Sequence, residues 1–293
     1  MKAEDITLRQ LAESQDVSVG YSDDDIVIID NVKTLVEPTM AHLKMNLLVI
    51  CMAGKAQGTV NGQLCVMERG NVFICPPNVT FSDFMMSTDF EFKAMFFTSH
   101  ILQTFLREKM SIWNEVMYVH RKHIVTMSDH DAAYFSHFYD LLRVCINDDV
   151  QVPFHTEVIQ SLLRAAFVAL CGRMKLMLAD RPDQPQMRQA GNLFQRFLFL
   201  LEKAPVKHRS VESFAAELCI TPKYLSAVCK KQSGKTANEW ITQQVLGDIR
   251  YYLKHTDLSI KQICVRLGFP NPSFFGKYVK EHFGMTPTQL RNS

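Results

Sequence analysis

The sequence lacks the features that mark several large classes of protein. It contains no run of eighteen apolar residues, so no membrane partner is expected, and residues 1–10 hold charges where a signal peptide would have an apolar core. Its eight cysteines include no C-x-x-C pair, and several stand among apolar neighbours, as free thiols in a reducing compartment do. These absences lead us to expect a cytoplasmic protein.

The composition is otherwise that of a globular protein, but its charge is divided unevenly. A chain of 293 residues with 47% hydrophobic and 21% charged residues is long enough for two domains and hardly for three. Residues 186–293 carry 16 Lys and Arg against 7 Asp and Glu, a net charge of +9, whereas residues 1–185 carry 16 against 23, a net charge of −7. This division is typical of a polyanion-binding module joined to a module with another task.

The basic part contains an internal repeat with an offset of 50 residues. The segment 221–230 aligns with the segment 271–280, and each segment follows a shorter candidate helix that has its own serine cap. The repeat predicts two helix–turn–helix units, at about 210–234 and 259–284.

The second helix of each unit has an apolar side and a small or cationic side. In the second unit, Asn271 is a suitable N-cap, Pro272 suits the first helical position, and Gly284 suits the left-handed end. Between the units, Thr236 and Glu239 form a capping box that opens a helix to about residue 254, with a length of about 28 Å. Such a rod can hold two recognition helices one DNA turn apart, roughly 34 Å, so both can enter successive major grooves.

The segment 253–291 resembles the C-terminal signature of the AraC/XylS family of bacterial transcription regulators. The matching pieces are Ser259-Ile260, Leu267-Gly268-Phe269, Pro272-Ser273-Phe274-Phe275, Lys280, Phe283-Gly284 and Thr286-Pro287. The resemblance, which covers about a third of the chain, implies a sequence-specific regulator that binds double-stranded DNA. It also implies a homodimer, contact with RNA polymerase and a small-molecule effector at the N-terminal domain. Activation and repression both stay open.

Helical spacing identifies the side chains that face outward from the two recognition helices. They are Lys223, Ser226, Ala227 and Lys230 in the first helix, and Pro272, Ser273, Gly276, Lys277 and Lys280 in the second. The resemblance implies base and backbone contacts at the same positions. Because these positions offer no Arg, Asn or Gln, we expect DNA shape and backbone contacts to contribute much of the recognition. We expect Trp240 to pack within the domain, and we expect Lys231 and Lys235 to be ordinary solvated lysines.

Residues 24–97 consist of short β-like runs separated by turn residues. The runs are 25–30, 45–52, 56–60, 63–67, 71–75 and 90–97. Asn61-Gly62 is the strongest hairpin signal, and the pattern predicts a small barrel or jelly roll. The family resemblance, looser here, implies a cupin-like barrel. Its Met- and Phe-rich content fits either an apolar ligand cavity or a filled core.

We therefore predict an α+β protein of two domains. Residues 1–180 form a cupin-like sensing and dimerisation domain with trailing helices, 181–186 form a linker, and 187–293 form an all-α DNA-binding domain. The predicted helices are 101–110, 129–146 and 154–179 in the first domain, and 187–203 at the start of the second. The helix 154–179 either packs on the barrel or pairs two copies. His130, Asp131 and His137 are read as solvated.

The alternative is a cupin-type enzyme, or a DNA-associated enzyme, that carries a helical tail. A metal site needs several imidazole and carboxylate ligands, yet His42 is the only histidine among the β-like runs and no H-x-H occurs there. His42 is read as a surface or strand-edge residue. Cys51, Cys65 and Cys75 have no nearby histidine in sequence to activate them. We expect no catalytic residue, metal or cofactor.

Overall fold

The computed structural model describes residues 4–6, 19–30, 40–148, 152–179, 190–204 and 208–292. The chain divides into two compact units, residues 1–181 and residues 182–293. The linker predicted at 181–186 lies outside the described residues.

The N-terminal unit is built on two β-sheets. Its described strands are β1 Glu4–Ile6, β2 Val19–Ser22, β3 Ile26–Asp30, β4 Met40–Leu43, β5 Asn46–Ala53, β6 Lys55–Val60, β7 Gln63–Glu68, β8 Asn71–Cys75, β9 Val79–Met86, β10 Glu91–Phe97 and β11 Ile124–Thr126. One sheet has the order β1-β4-β9-β6-β7, and the other has the order β11-β8-β5-β10-β3-β2. Neither sheet closes on itself among these strands, so a closed barrel is not found. Of the two forms predicted from the sequence, a small barrel or a jelly roll, the two-sheet form is nearer to the structure.

Alternating side chains of both sheets form one apolar core. Val49 and Phe92 come from the second sheet, while Val60 comes from the first, and all three are buried in the same cluster. The rings of Phe73 and Phe81 meet edge to face at 5.7 Å. Because successive strand residues point to opposite faces, the sheets bury the alternate positions of each strand against one another.

The hairpin between β6 and β7 confirms the Asn61-Gly62 prediction. Val60 pairs with Gln63 across a two-residue loop, and the loop residues have φ values of 48° and 80°. Positive φ at both positions is what the tight turn between antiparallel strands requires, and Asn and Gly tolerate it best.

His42 lies in β4, which pairs with β1 on one side and with β9 on the other. It is half-buried, and its Nδ1 lies 3.2 Å from Thr80 Oγ1. The strand-edge alternative for His42 is therefore wrong, because β4 is flanked by β1 and β9, neither of which the sequence predicts.

Helices cover the outer face of the second sheet. They are α1 Ser99–Leu106, α2 Met110–Asn114, α3 Asp129–Ile146 and α4 His155–Ala179. The Phe167 ring of α4 meets the Phe97 ring of β10 at 4.9 Å. His130 and His137 are exposed as predicted, but Asp131 is only 7% exposed. Asp131 pairs with Arg173 of α4 at 2.5 Å, because the first turn of α3 faces α4, so the solvated interpretation of Asp131 is wrong.

The described residues of the C-terminal unit fold entirely as helices and their connections. The helices are α5 Ala190–Lys203, α6 Val211–Glu217, α7 Pro222–Ser233, α8 Ala237–His255, α9 Ile260–Arg266, α10 Pro272–Phe283 and α11 Pro287–Asn292. The structure confirms the predicted helices here and adds α11. Residues 187–189 of the predicted opening helix lie outside the described residues. None of the described helices combines the length and the apolar character that a bilayer span requires.

Candidate nucleic-acid interface

The first candidate recognition helix, α7, begins and ends as the sequence predicts. Thr221 Oγ1 accepts a hydrogen bond from the Tyr224 backbone N–H at 3.2 Å, and Pro222 occupies the first turn. At the other end Gly234 adopts φ +75°, and its N–H donates to the Lys230 carbonyl at 2.9 Å. The buried side of the helix consists of Leu225, Val228 and Cys229. Local hydrogen bonds therefore fix both ends of α7, and the side of the helix opposite its buried residues stays in solvent.

The second candidate recognition helix, α10, uses the same devices 50 residues later. Asn271 Oδ1 accepts from the Phe274 backbone N–H at 2.8 Å, and Gly284 ends the helix at φ +70°. Phe275 and Val279 are buried. Phe283, at the end of the apolar side of α10, is half-buried and lies under the Arg250 guanidinium, whose carbon is 5.0 Å from the ring centre.

All nine predicted contact residues lie outside the core of the C-terminal unit. Seven of them are exposed, namely Lys223, Ala227, Lys230, Pro272, Ser273, Lys277 and Lys280. Ser226 and Gly276 are half-buried. An added Cβ at Gly276 would meet no atom within 4 Å, so this part of α10 is open to a close approach. The role of the nine residues in DNA binding stays a prediction.

The rod α8 joins the two helix–turn–helix units through its capping box and its buried face. The Thr236 backbone N–H donates to Glu239 Oε2 at 2.6 Å, and the Glu239 N–H donates to Thr236 Oγ1 at 3.3 Å. Trp240 Nε1 donates to Ser233 Oγ at 2.8 Å, while its ring meets Phe194 of α5 at 5.8 Å. The prediction that Trp240 packs within the domain is confirmed.

Lys235 is not the solvated lysine that the sequence suggested. Its ammonium donates to Gln243 Oε1 at 2.8 Å and lies 5.2 Å from the centre of the Trp240 ring. Burial lowers the pKa of Lys235 to about 8. The turn after Gly234 points this side chain at α8, whereas Lys231 on α7 is exposed as predicted. The correction follows from tertiary packing, which sequence spacing does not reveal.

A histidine that the sequence did not single out connects the first and second helix–turn–helix units of the DNA-binding domain. His208 precedes α6, yet its ring stacks on Phe269 of the second unit at 4.1 Å and lies 5.5 Å from Tyr278 of α10. Burial lowers the pKa of His208, while a hydrogen bond with the Gly268 backbone opposes that shift. A single histidine in a polar stretch gives no sequence signal for such a contact.

Comparison with known proteins agrees with this geometry. Residues 214–293 match a protein-family model described as a helix-turn-helix domain. The C-terminal region therefore contains a helix–turn–helix domain, which is similar to those of AraC-type regulators. The chain is 24% identical over 110 residues to the HTH-type transcriptional activator RhaR of Enterobacter sp. (strain 638), covering 38% of this chain and 39% of RhaR. It is 33% identical over 81 residues to the regulatory protein PocR of Salmonella typhimurium, covering 28% of this chain and 27% of PocR.

These alignments reach only part of each protein, and the chain spans less than half the length of the curated relatives that it matches. Among solved structures, ToxT of Vibrio cholerae aligns with 92% of this chain and 98% of its own, at 11% identity and a TM-score of 0.37. A TM-score of that size does not establish a shared fold. Among the described residues, no three His, Cys, Asp or Glu side chains come together as a metal site.

Proposed function

We propose that this protein is a sequence-specific transcription regulator that inserts α7 and α10 into successive major grooves of double-stranded DNA. The observation that carries the proposal is the repetition of one design. Each recognition helix buries one side and leaves the other open, and the open side of each carries lysines and small residues, with Lys230 and Lys280 at matching positions. The 19-residue α8 between them has a length of about 28 Å, close to the roughly 34 Å of one DNA turn.

The lysines of the two open faces supply the attraction to DNA. Lys223 and Lys230 lie on α7, and Lys277 and Lys280 lie on α10, all four exposed. Cationic side chains on such faces neutralise phosphates and release counterions, so the affinity falls steeply with salt concentration. Small neighbours such as Ala227 and Gly276 let the helices approach the floor of the groove.

Removal of single lysines tests this interface. We expect Lys230→Ala and Lys277→Ala each to weaken binding to a duplex from the promoter neighbourhood. Each should also reduce the logarithmic salt slope by about 1 if the lysine meets a phosphate. Lys55→Ala is the matched control, because Lys55 is an exposed lysine of the N-terminal unit that pairs with Glu68. Unchanged affinity and slope in both test variants, measured by fluorescence anisotropy, would remove these faces from the interface.

For the N-terminal unit we propose a cupin-like sensing domain that responds to a small-molecule effector. The support is the arrangement of this unit as two sheets on a shared apolar core, to which Met45, Met67 and Phe73 belong. A cytoplasmic location fits both DNA as the ligand and the eight cysteines, which are all free. RhaR is named as a transcriptional activator, and by analogy we propose RNA polymerase as a partner of this protein at promoters.

We further propose that α4 pairs two copies of the chain. This helix is apolar on two sides: Ile159, Leu163 and Phe167 are buried within the unit, while a second stripe faces solvent. The second stripe repeats every seven residues and consists of Val158, Leu162, Ala165, Ala169, Gly172 and Leu176. A seven-residue repeat favours helix pairing, and the small residues at its centre permit two backbones to approach closely.

A charge in the second stripe tests the dimer. We expect Ala165→Glu to convert a dimer into a monomer in sedimentation velocity, because it would bury a carboxylate without a partner. Arg164→Glu introduces the same charge at a neighbouring exposed position outside the stripe and should leave the dimer intact. A monomeric wild-type protein at micromolar concentration, or a dimer that survives Ala165→Glu, contradicts pairing through α4.

A further inference from the structure

Each recognition helix exposes a large aromatic ring at its third residue. Tyr224 of α7 is 51% exposed and Phe274 of α10 is 47% exposed, and the two residues are related by the offset of 50 that relates the units. Neither belongs to the nine outward residues, because both lie at the flank of the open face. Their exposure is unexplained by folding, since burial of an aromatic ring is strongly favourable.

The positions of the two rings point to the bases. Residues in the first turn of a recognition helix are the ones that meet base edges in the major groove. Tyr224 lies one turn before the exposed Ala227, so the two side chains form one apolar surface on α7. Phe274 lies one turn before Lys277, and its ring is 6.3 Å from the Phe269 ring, which supports it from within the domain.

The chemical groups exposed in the major groove determine which bases these rings can contact favourably. The outward positions offer no Asn or Gln, the side chains that make paired hydrogen bonds to adenine, and no Arg, so hydrogen bonds to guanine edges there fall to the lysines. The apolar group that the major groove presents is the C5-methyl group of thymine. The face of an exposed aromatic ring can give that methyl group an apolar contact.

We propose that Tyr224 and Phe274 are specificity-determining residues, each of which contacts a thymine methyl group in its own half of the binding site. This inference rests on the proposed function. It adds that one thymine in each half-site is recognised by its methyl group. The two thymines lie about one helical turn apart, and the lysines contribute affinity without this selectivity.

The test couples the protein side chain to the DNA methyl group. A tight duplex is first selected from a random pool with the full-length protein, and each thymine is then replaced singly by deoxyuridine. We expect about a four-fold loss of affinity at one thymine per half-site, the equivalent of about 0.8 kcal/mol for one buried methyl group. In Phe274→Ala and Tyr224→Ala, affinity should fall and the corresponding deoxyuridine replacement should cost nothing more.

Conservative variants serve as controls for folding and for chemistry. Phe274→Leu and Tyr224→Phe should retain most of the sensitivity to deoxyuridine, and the salt slope should stay at its wild-type value in all four variants. Tight binding that is indifferent to every deoxyuridine replacement, or a sensitivity that survives in both alanine variants, overturns the inference while the proposed function stands. A wild-type protein that selects no duplex overturns both.

Discussion

At the scale of single residues, the environment of a charged side chain depends on tertiary contacts that the local sequence pattern does not show. Lys235 follows Gly234 in a polar stretch, which predicts a solvated side chain. The fold instead places its ammonium beside Trp240 and Gln243, where burial lowers its pKa to about 8. An ammonium held partly out of water costs stability at neutral pH.

Replacement of this lysine should therefore stabilise the protein in a pH-dependent way. The folded pKa of Lys235, about 8, lies below its ordinary value of 10.5, so the folded state releases its proton first as the pH rises. The charged ammonium therefore costs no stability above about pH 10.5. Stability is lost as the pH falls below that value, and the loss is complete once the pH has fallen through 8. We expect Lys235→Met to raise the free energy of unfolding at pH 7 by about 1 to 3 kcal/mol, and by less at pH 10.

Urea unfolding at the two pH values measures this difference. Lys231→Met is the matched control, since Lys231 is exposed on α7 and its replacement should stabilise the protein less at pH 7. A stabilisation by Lys235→Met that is the same at pH 7 and pH 10 would mean that the ammonium is not the source of the cost.

At the scale of elements, helices were predictable where their ends carry local signals. Ser128, Thr221 and Asn271 each accept a hydrogen bond from the backbone N–H three residues on, and each begins a helix that the sequence predicts. Strands β4 and β9 were missed because they depend on long-range pairing, in which Leu43 faces Val79. Within β9, Asp83 has φ +55°, which interrupts the alternation that would have marked a strand.

Gly276 and Gly284 of α10 allow the effect of helix propensity on stability to be compared with the effect of a left-handed backbone conformation. An added Cβ meets nothing within 4 Å at either Gly276 or Gly284, but Gly284 has φ +70° and Gly276 lies inside the helix. We expect Gly276→Ala to stabilise the protein by up to about 1 kcal/mol, and Gly284→Ala to destabilise it by about 1 kcal/mol. Thermal unfolding of both variants measures the difference, and shifts of the same sign would contradict the assigned helix end.

Gly276 also lies on the face of α10 that we propose for DNA binding. A bulky side chain at Gly276 should leave folding intact, because the site is open, yet it should keep α10 out of the groove. Gly276→Leu is therefore expected to unfold at the wild-type temperature or above and to bind DNA weakly.

At the scale of the whole molecule, the sequence predicted which part of the chain binds DNA better than it predicted how the strands are arranged. The repeat and the net charge of +9 located the DNA-binding domain, because both are properties that a linear pattern carries. The arrangement as two open sheets was not predictable in the same way. Whether strands close into one sheet or separate into two depends on pairings such as that of β11 with β8, which joins residues about fifty positions apart.

The central claim is that α7 and α10 enter successive major grooves on one face of the duplex. Methylation of guanine N7, which lies in the major groove, tests it directly when interference with binding is mapped along a selected duplex. The account predicts two clusters of interference, centred about 10 base pairs apart on one face, of which Lys230→Ala and Lys277→Ala each weaken one. A single cluster, or two clusters on opposite faces of the helix, would contradict it.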